Sequence, residues 1–416
     1  MALPTRSSVS RREYLKAAVA VGGAVGLAAC TGELDDETSV PTGDPERRPQ
    51  RQHAWNEVLS VTEDGHTELP AHHVLAALSL KATPTDADHE QVETAFRSLE
   101  RAYGYDPDGL LFTVGYGPSY FEQIGVESPI PQPKALTRSE SPELDGFDGL
   151  VHLASNNPAV VVEAEEALFG AVKEPNGVAM EATLSGVFEP SEPRRTGFVG
   201  QGLPAEFADE IGGVPDEMPD EAPFFMGYKS GFPNSQAPED RVTIQDGPYT
   251  GGTTTHVESL DIQLRTWFEQ DDQFLRVAQM FSPAHAKTDR VPGIGDALGS
   301  TSGIEPYADQ AAADARSEGI VGHAQKAARA RDADGTPPLL RRDFNTVDND
   351  FPGLHFLSHQ RSIADFVRVR AAMAGEDLAG SGVGRSHNNG ILQYIFVNRR
   401  GNFIVPPRDR RALPEV

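Results

Sequence analysis

One histidine and one arginine have the residue types and the spacing that first suggest chemistry in this chain. His323 precedes Arg341 by eighteen residues, and the segment continues into an alternating, strand-like run over residues 354–358 and a helix-like run over residues 363–373. A neutral imidazole can bind a metal or carry a proton, whereas a guanidinium keeps its positive charge at ordinary pH. A single histidine is most often a surface or core residue, so the pair needs support from the rest of the sequence.

The cysteine content restricts the kind of metal site. The chain contains one cysteine, Cys30, which excludes an intrachain disulfide and a cysteine-based metal cluster. A metal in this protein must therefore be held by histidine or carboxylate side chains, or must arrive within a cofactor. The sequence also lacks the P-loop, G-x-G-x-x-G, H-E-x-x-H and G-x-S-x-G motifs.

Three further stretches carry a specific pattern. Residues 111–121 read LFTVGYGPSYF, residues 225–234 read FMGYKSGFPN, and residues 353–361 read GLHFLSHQR. Together with His323 and the LLR triplet at 339–341, they resemble the dye-decolorising peroxidase family. In that family a proximal histidine is followed by an Ile/Leu-Leu-Arg motif and then by a Gly-Leu-x-Phe strand.

The resemblance covers residues 53–410 in pieces and implies both a fold and a cofactor. The implied fold is α+β, with two ferredoxin-like units packed together in a dimeric α+β barrel-like arrangement and haem b in the second unit. The resemblance further implies that His323 binds the haem iron. Arg341 would lie on the opposite side of the haem and stabilise charge as the O–O bond of hydrogen peroxide breaks. Arg342 would take the place of Arg341 if the match to the Ile/Leu-Leu-Arg motif is shifted by one residue.

The strand after the arginine supplies the implied pocket wall. Leu354 and Phe356 alternate along it, so both would face the cofactor, and ordinary core packing is the alternative.

The segment 227–231 resembles the Gly-x-x-Asp-Gly motif of the family, which places Gly227 and Gly231 at the cofactor. Ser230 stands where the family has its aspartate. A serine hydroxyl does not ionise near neutral pH and at best orients a water molecule. Three alternatives remain open. Arg341 and water suffice for a slower peroxidase, another acid takes over the proton transfer, or the protein binds haem without efficient peroxide chemistry.

The implied function is that of an exported haem-dependent peroxidase-like oxidoreductase that reduces hydrogen peroxide with an organic electron donor. One alternative is a haem-binding protein for haem or iron acquisition that lacks efficient peroxidase activity. A second alternative is a binding module on the cell surface that carries no haem. The sequence does not identify the reductant, and it leaves a homo-oligomer open.

The first thirty residues are predicted to be an export signal. Residues 10–16, SRREYLK, match a twin-arginine signal, and the apolar run over residues 17–29 is too short to span a bilayer. The run ends in LAAC, which resembles a lipobox and predicts lipidation of Cys30. This predicts an extracytoplasmic protein anchored to the cell membrane by lipid. A twin-arginine signal that is cleaved nearby, with an incidental cysteine, is the alternative.

The charge balance is strongly acidic, with 62 acidic residues against 36 basic ones and a formal net charge of −26. Such a surface repels nucleic acid and anionic lipid, and concentrated salt relieves its self-repulsion. The composition predicts a protein from a halophile, with an ordinary acidic secreted protein as the alternative. We expect no nucleic-acid partner and no membrane contact beyond the lipid anchor.

The remaining organisation follows from local patterns. Residues 31–52 are predicted to be a disordered acidic tether, residues 53–185 an N-terminal ferredoxin-like domain, residues 186–223 a linker loop and residues 224–416 a C-terminal haem-binding ferredoxin-like domain.

Individual elements can also be predicted. Alternation predicts strands over residues 72–80 and 149–155, and helical spacing predicts a helix over residues 88–103. Asn157 is predicted to cap the next helix. Two C-terminal strands are predicted, over residues 390–396 and 402–407.

Overall fold

A computed structural model of the chain describes residues 40–200, 215–216, 218, 222, 225–291, 298–349 and 351–415. The predicted export signal, Cys30 and much of the predicted linker therefore lie outside the described residues. Within the described ranges, no helix is both long and apolar enough to cross a membrane.

The described strands are β1 (His72–Leu80), β2 (Leu111–Tyr116), β3 (Glu143–Leu144), β4 (Gly149–Ser155), β5 (Phe188–Phe198), β6 (Thr253–Ile262), β7 (Leu340–Arg341), β8 (Phe344–Thr346), β9 (Gly353–Gln360) and β10 (Ile395–Val405).

The described α-helices are α1 (Asp86–Ala102), α2 (Pro118–Ile124), α3 (Pro158–Leu168), α4 (Glu239–Val242), α5 (Gln273–Met280), α6 (Pro283–Lys287), α7 (Ala311–Ser317), α8 (His323–Ala328) and α9 (Ile363–Ala374).

All ten strands join one sheet, in the order β2-β4-β1-β5-β8-β9-β6-β10-β3, with β7 beside β9. A bridge between Ile404 of β10 and Tyr116 of β2 closes the path into a ring. The pairing is antiparallel except between β10 and the short β3. The first half of the ring runs β5-β1-β4-β2, and the second half runs β8-β9-β6-β10. This architecture confirms the predicted α+β class.

The local patterns explain several of these elements. The strands predicted over residues 72–80 and 149–155 coincide with β1 and β4, and the helix predicted over residues 88–103 is confirmed as α1. As predicted, the side chain of Asn157 caps α3 by accepting a hydrogen bond from the backbone N–H of Ala159 at 3.0 Å. These elements were predictable because their signals are short-range.

Helices cover the outer face of the ring, and a second core fills its interior. The outer core of the first half packs α1 and α3 onto the sheet through residues such as Val74, Phe96, Val151 and Val161. The interior core joins both halves and consists of Leu75, Ala77, Phe147, Leu150, Val257, Phe344, Leu357 and Phe403. Alternate residues of each strand therefore face either the helices or the interior.

The interior also contains buried imidazoles. His73 Nδ1 lies 2.9 Å from His152 Nε2, and His73 Nε2 lies 2.7 Å from the carbonyl oxygen of Pro70. Burial lowers the pKa of His73 to about 3, so the ring is neutral. No group of three or more histidine, cysteine or acidic side chains in the described part of the chain is arranged to hold a bare metal ion.

The predicted tether over residues 31–52 is wrong for its described portion, residues 40–52. Arg48 is buried and its Nη2 donates to the carbonyl oxygen of Tyr103 at 2.8 Å. Gln52 is also buried, and its amide donates to the carbonyl oxygen of Pro406 at 2.8 Å. This segment folds because its polar side chains hydrogen-bond to backbone groups from both ends of the chain.

The predicted linker over residues 186–223 contains strand β5, so this boundary is wrong. β5 pairs with β1 along its length, and the register shifts between Leu75 and Ala77. Pro193 falls at this irregularity, where a ladder N–H is not required. The strand predicted over residues 390–396 is also wrong at its start, because residues 390–394 form turns and one strand, β10, runs from Ile395 to Val405.

Candidate functional site

The strand segment from Arg341 to Phe344 places two kinds of side chain on opposite faces of the sheet. Leu340 pairs with His359 and Phe344 pairs with His355, so the same antiparallel register runs through the segment. Phe344 is fully buried in the interior core. Alternation then places Arg342 inside with Phe344, and places Arg341 and Asp343 together on the outer face.

Arg342 belongs to the interior of the ring. It is buried, its Nη2 donates to Asn56 Oδ1 at 2.5 Å, and its guanidinium lies 5.9 Å from the ring of Trp55. Burial lowers the pKa of Arg342 to about 10, although the charge of Glu239 raises it. The two adjacent arginines are therefore not interchangeable, and Arg341 is the one that shares a face with Leu354 and Phe356.

Arg341 is half-buried, and among the described residues no carboxylate lies within ion-pair distance of its guanidinium. Its backbone N–H donates to Gln236 Oε1 at 2.9 Å, and its Nη2 donates to Ser235 Oγ at 3.1 Å. Among the residues that the structure describes, Arg341 forms no ion pair. The salt bridge that is the usual role of a surface arginine is thus not found for it.

The loop that carries Ser230 lies beside the same arginine. Gly227 and Gly231 have φ angles of 80° and 81°, a left-handed conformation that favours glycine. A Cβ built on Gly231 would lie 3.8 Å from the amide nitrogen of Gln236, the residue that accepts from the backbone of Arg341. Ser230 is half-buried in this loop. The fold therefore brings the segment 227–231 to the neighbourhood of Arg341.

His323 is the first residue of α8, and the helix is held firmly. Lys326 Nζ donates to Asn389 Oδ1 at 2.6 Å and to the carbonyl oxygen of Met373 at 2.5 Å. A Cβ built on Gly390 would lie 3.1 Å from both Cα and N of His323, so the chain passes directly against this residue. These contacts fix the backbone from which the imidazole projects.

The imidazole of His323 is half-buried, and in the described part of the chain neither of its nitrogens has a hydrogen-bond partner. Burial lowers the pKa of His323 to about 3, and the charges of Lys326, Arg341 and Arg370 lower it further in the same direction. The ring is therefore neutral, the form that binds a metal. The charge of Arg341 thus acts on the pKa of His323, although eighteen residues separate the two in sequence.

Leu354 and Phe356 lie on the same face of the sheet as Arg341. Both are half-buried, whereas the alternate residues His355 and Leu357 are buried in the interior. Leu354 and Ala324 of α8 pack against the same apolar cluster, and the ring of Phe356 lies 5.9 Å from that of Phe366 on α9. The alternation predicted for this strand is confirmed.

Asp343 is a residue that sequence reasoning missed. It is half-buried, it shares the outer face with Arg341, and the register places it opposite Phe356. Burial raises the pKa of Asp343, while the charges of Arg341 and Arg342 oppose that rise. Its position two residues after Arg341 in an extended segment was the available signal.

A separate cavity of about 290 Å³ opens between α5 and α6. Its titratable lining residues are His285 and Asp289. His285 is already hydrogen-bonded through both nitrogens, to Ser282 Oγ at 2.7 Å and to the carbonyl oxygen of Ser302 at 2.8 Å. We therefore assign the candidate chemistry to the His323 and Arg341 region and not to this cavity.

The sequence can now be compared with known families. Residues 70–407 match the profile of DUF7405, a family of unknown function. The chain belongs to DUF7405. No curated protein matches it.

Solved structures match the DUF7405 chain over most of its length. A DyP-type peroxidase from Cellulomonas bogoriensis is 18% identical with a TM-score of 0.54, covering 85% of this chain and 95% of the other. A dye-decolorizing peroxidase from Bacteroides thetaiotaomicron is 14% identical with a TM-score of 0.53, covering 85% and 99%. The encapsulated DyP-type peroxidase from Mycobacterium smegmatis is 16% identical with a TM-score of 0.52, covering 84% and 96%.

Identities this low establish the fold alone. The DUF7405 chain has the α+β fold of DyP-type peroxidases, which confirms the resemblance predicted from its motifs. What the chain does must be argued from its own site.

Proposed function

We propose that this DUF7405 protein is a haem-dependent peroxidase-like oxidoreductase that reduces hydrogen peroxide with an organic electron donor. One observation carries the proposal. A neutral imidazole without a partner in the described residues, His323, lies within electrostatic reach of a guanidinium without an ion-pair partner there, Arg341. Leu354 and Phe356 share the face of the sheet on which Arg341 lies.

Haem b fits the residues present. His323 offers an uncharged nitrogen for the iron, and the half-buried Leu354 and Phe356 offer apolar surface for a flat ring. Arg370 is buried, its Nη2 donates to Glu140 at 2.9 Å, and its Nη1 has no partner among the described residues. A propionate carboxylate of the haem would accept a hydrogen bond from this Nη1. Attachment through two cysteines, as in the C-x-x-C-H motif of c-type haem, is excluded by the sequence, because Cys30 is the only cysteine.

Each side chain has a distinct task in this proposal. His323 holds the iron and, because its pKa is low, does not compete for a proton. When bound, the haem supplies the redox chemistry of peroxide reduction. Arg341 keeps its charge and stabilises the negative charge that develops as the O–O bond breaks. Ser230 lacks an ionisable group near neutral pH and cannot carry the proton in this step.

Ser230 also supports a second candidate function. A protein that binds haem for haem or iron acquisition, without efficient peroxide chemistry, needs His323 and the apolar wall but no acid at position 230. The two candidates differ in turnover and not in haem binding.

Measuring the haem-loaded protein tests both candidates. We expect the purified chain to bind haem with a Soret band and to oxidise a dye when peroxide is added. Ligation is tested by His323→Ala, which should lose the Soret band. Its matched control is His89→Ala, which removes a half-buried histidine of α1 that is hydrogen-bonded to the carbonyl oxygen of Ala412. Haem binding without turnover, together with a gain of orders of magnitude in Ser230→Asp, would support the second candidate instead.

Finer features of the fold are also proposed. We infer that the two halves of the ring are ferredoxin-like units. Followed in one direction around the ring they run β5-β1-β4-β2 and β10-β6-β9-β8, and each half has its strands in the chain order fourth, first, third and second. We place the haem against the second of these halves, which supplies Arg341, Leu354 and Phe356. A crystal structure of the haem-loaded protein tests this placement, and haem bound to the first half would contradict it.

Export and salt adaptation are proposals drawn from the sequence. We propose twin-arginine export, lipidation at Cys30 and an extracytoplasmic position on the cell membrane. Replacing Cys30 by alanine should release the protein from the membrane fraction, and retention would contradict lipidation.

The net charge of −26 supports adaptation to high salt, so molar KCl should raise the free energy of unfolding. Sedimentation analysis decides whether the chain forms a homo-oligomer.

A further inference from the structure

Proton transfer is the part of the proposed reaction that the described site leaves without an obvious residue. The proton removed from one oxygen of hydrogen peroxide must be returned to the other as the O–O bond breaks. Ser230 cannot perform this transfer, and Arg341 is always protonated. A suitable group must therefore be ionisable, must lie on the same face as Arg341, and must not already be used in an ion pair.

Asp343 meets all three requirements. It lies two residues after Arg341 on the outer face, opposite Phe356 in the register, while Arg342 between them points into the ring. In the described part of the chain, no side chain donates a hydrogen bond to its carboxylate and no cation lies within ion-pair distance. A half-buried acid without such a partner is unusual, because burying an unpaired carboxylate is unfavourable.

The electrostatics support the same assignment. The charge of Arg341 acts on the pKa values of both His323 and Asp343. For Asp343 this agrees with the register, which places it on the same face of the sheet as Arg341. The pKa of Asp343 is raised by burial, against the effect of Arg341 and Arg342, which brings the acid closer to the range in which it can both accept and release a proton.

We propose that Asp343 is the acid–base residue of this protein, in the place of the carboxylate that position 230 lacks. The inference rests on the proposed peroxidase function. Its carboxylate accepts a proton from one oxygen of hydrogen peroxide and returns it to the other oxygen, which leaves as water. Over a full turnover, hydrogen peroxide takes up two electrons from the organic donor and two protons, and forms two molecules of water. Asp343 ends the cycle ionised, as it began.

Kinetics of the haem-loaded full chain test the assignment. We expect Asp343→Asn to lower the rate of reaction with hydrogen peroxide by about 100-fold or more, the usual contribution of a positioned acid–base group, without loss of the Soret band. Asp334→Asn is the matched control, since Asp334 is exposed in the connection that precedes β7 and accepts from the backbone of Thr336, which an asparagine can also do. Ser230→Asp in the Asp343→Asn background should restore much of the rate.

A second measurement does not depend on turnover. In the apoprotein, infrared difference spectra across a pH titration should show a protonated carboxyl that titrates above the ordinary range for aspartate and disappears in Asp343→Asn. Besides burial, the groups that act on this carboxyl are Arg341, the backbone N–H of Asp343 itself and Arg342.

The outcomes separate the inference from the function on which it rests. Absence of haem binding by the native chain refutes the proposed function. A haem-loaded native chain that reacts with peroxide as fast after Asp343→Asn as before refutes the role of Asp343 alone. A native chain that binds haem, fails to react, and gains activity only with Ser230→Asp also refutes that role.

Discussion

Replacing Gly390 by alanine should loosen His323, the proposed haem ligand. A Cβ at this position would lie 3.1 Å from both Cα and N of His323 and 3.2 Å from Lys326 Cε, closer than ordinary contact. The backbone at Gly390 has a φ of 64°, which adds about 1 kcal/mol or more of strain for any L-residue. Overpacking of well-packed atoms adds about 1–3 kcal/mol. We therefore expect Gly390→Ala to lower the free energy of unfolding by about 2–4 kcal/mol.

The same change should weaken haem binding, because part of the crowding falls on His323, the proposed ligand of the iron. A loss of about 1.4 kcal/mol at the ligand corresponds to a tenfold higher Kd for haem. The control is Gly335→Ala, where φ is 87° and no described atom lies within 4 Å of the added Cβ. Gly335→Ala should lower the free energy of unfolding only by the backbone strain of the left-handed conformation, and it should bind haem with the affinity of the native chain. Urea unfolding and haem titration measure both quantities, and equal losses in the two variants would refute this reasoning.

Three further predictions concern charged groups. Burial would raise the pKa of Glu100, but hydrogen bonds and charges from Arg408 and Arg411 outweigh it and lower the pKa from 4.5 to about 2. Because the folded-state pKa is depressed, this carboxylate contributes about 3 kcal/mol above pH 4.5, a contribution lost as the pH falls towards 2. Glu100→Gln should therefore lower the unfolding free energy at pH 7 by about 3 kcal/mol and flatten its dependence on pH between 2 and 4.5, and an unchanged pH profile would contradict this. Arg341→Lys keeps a positive charge but loses the fork geometry, so the peroxide rate should fall about 100-fold with the Soret band retained, whereas an unchanged rate would exclude Arg341 from the reaction. Arg370→Gln removes the proposed propionate partner and should raise the haem Kd about tenfold, which haem titration checks against wild-type affinity.

The fold was predictable where its signals are local or carried by motifs. β1 and β4 follow from alternation, and Asn157 caps α3 through a contact two residues away. β5 was missed because its sequence, FEPSEPRRTGF, contains two prolines and several charges that usually mark a loop. The strand forms by pairing with β1, and the register shift accommodates Pro193. Because β1 lies more than one hundred residues earlier in the chain, local sequence does not reveal this pairing.

The candidate site was predictable in part for the same reason. The motifs indicated His323 and Arg341, and the fold brings them within electrostatic reach of each other. Asp343 and Arg370 were missed because their roles depend on what lies across from them and not on their own sequence neighbours. The alternation of Arg341, Arg342 and Asp343 decides which side chains face the site, and that alternation is fixed only once β9 is paired.

The central claim is that His323 ligates haem iron, and chemical rescue of the cavity variant tests it most directly. The spectrum of haem-loaded His323→Gly should lose the signature of a histidine-ligated iron and regain it when free imidazole is added, while His89→Gly keeps the native spectrum throughout. A native spectrum in His323→Gly without imidazole would contradict the claim.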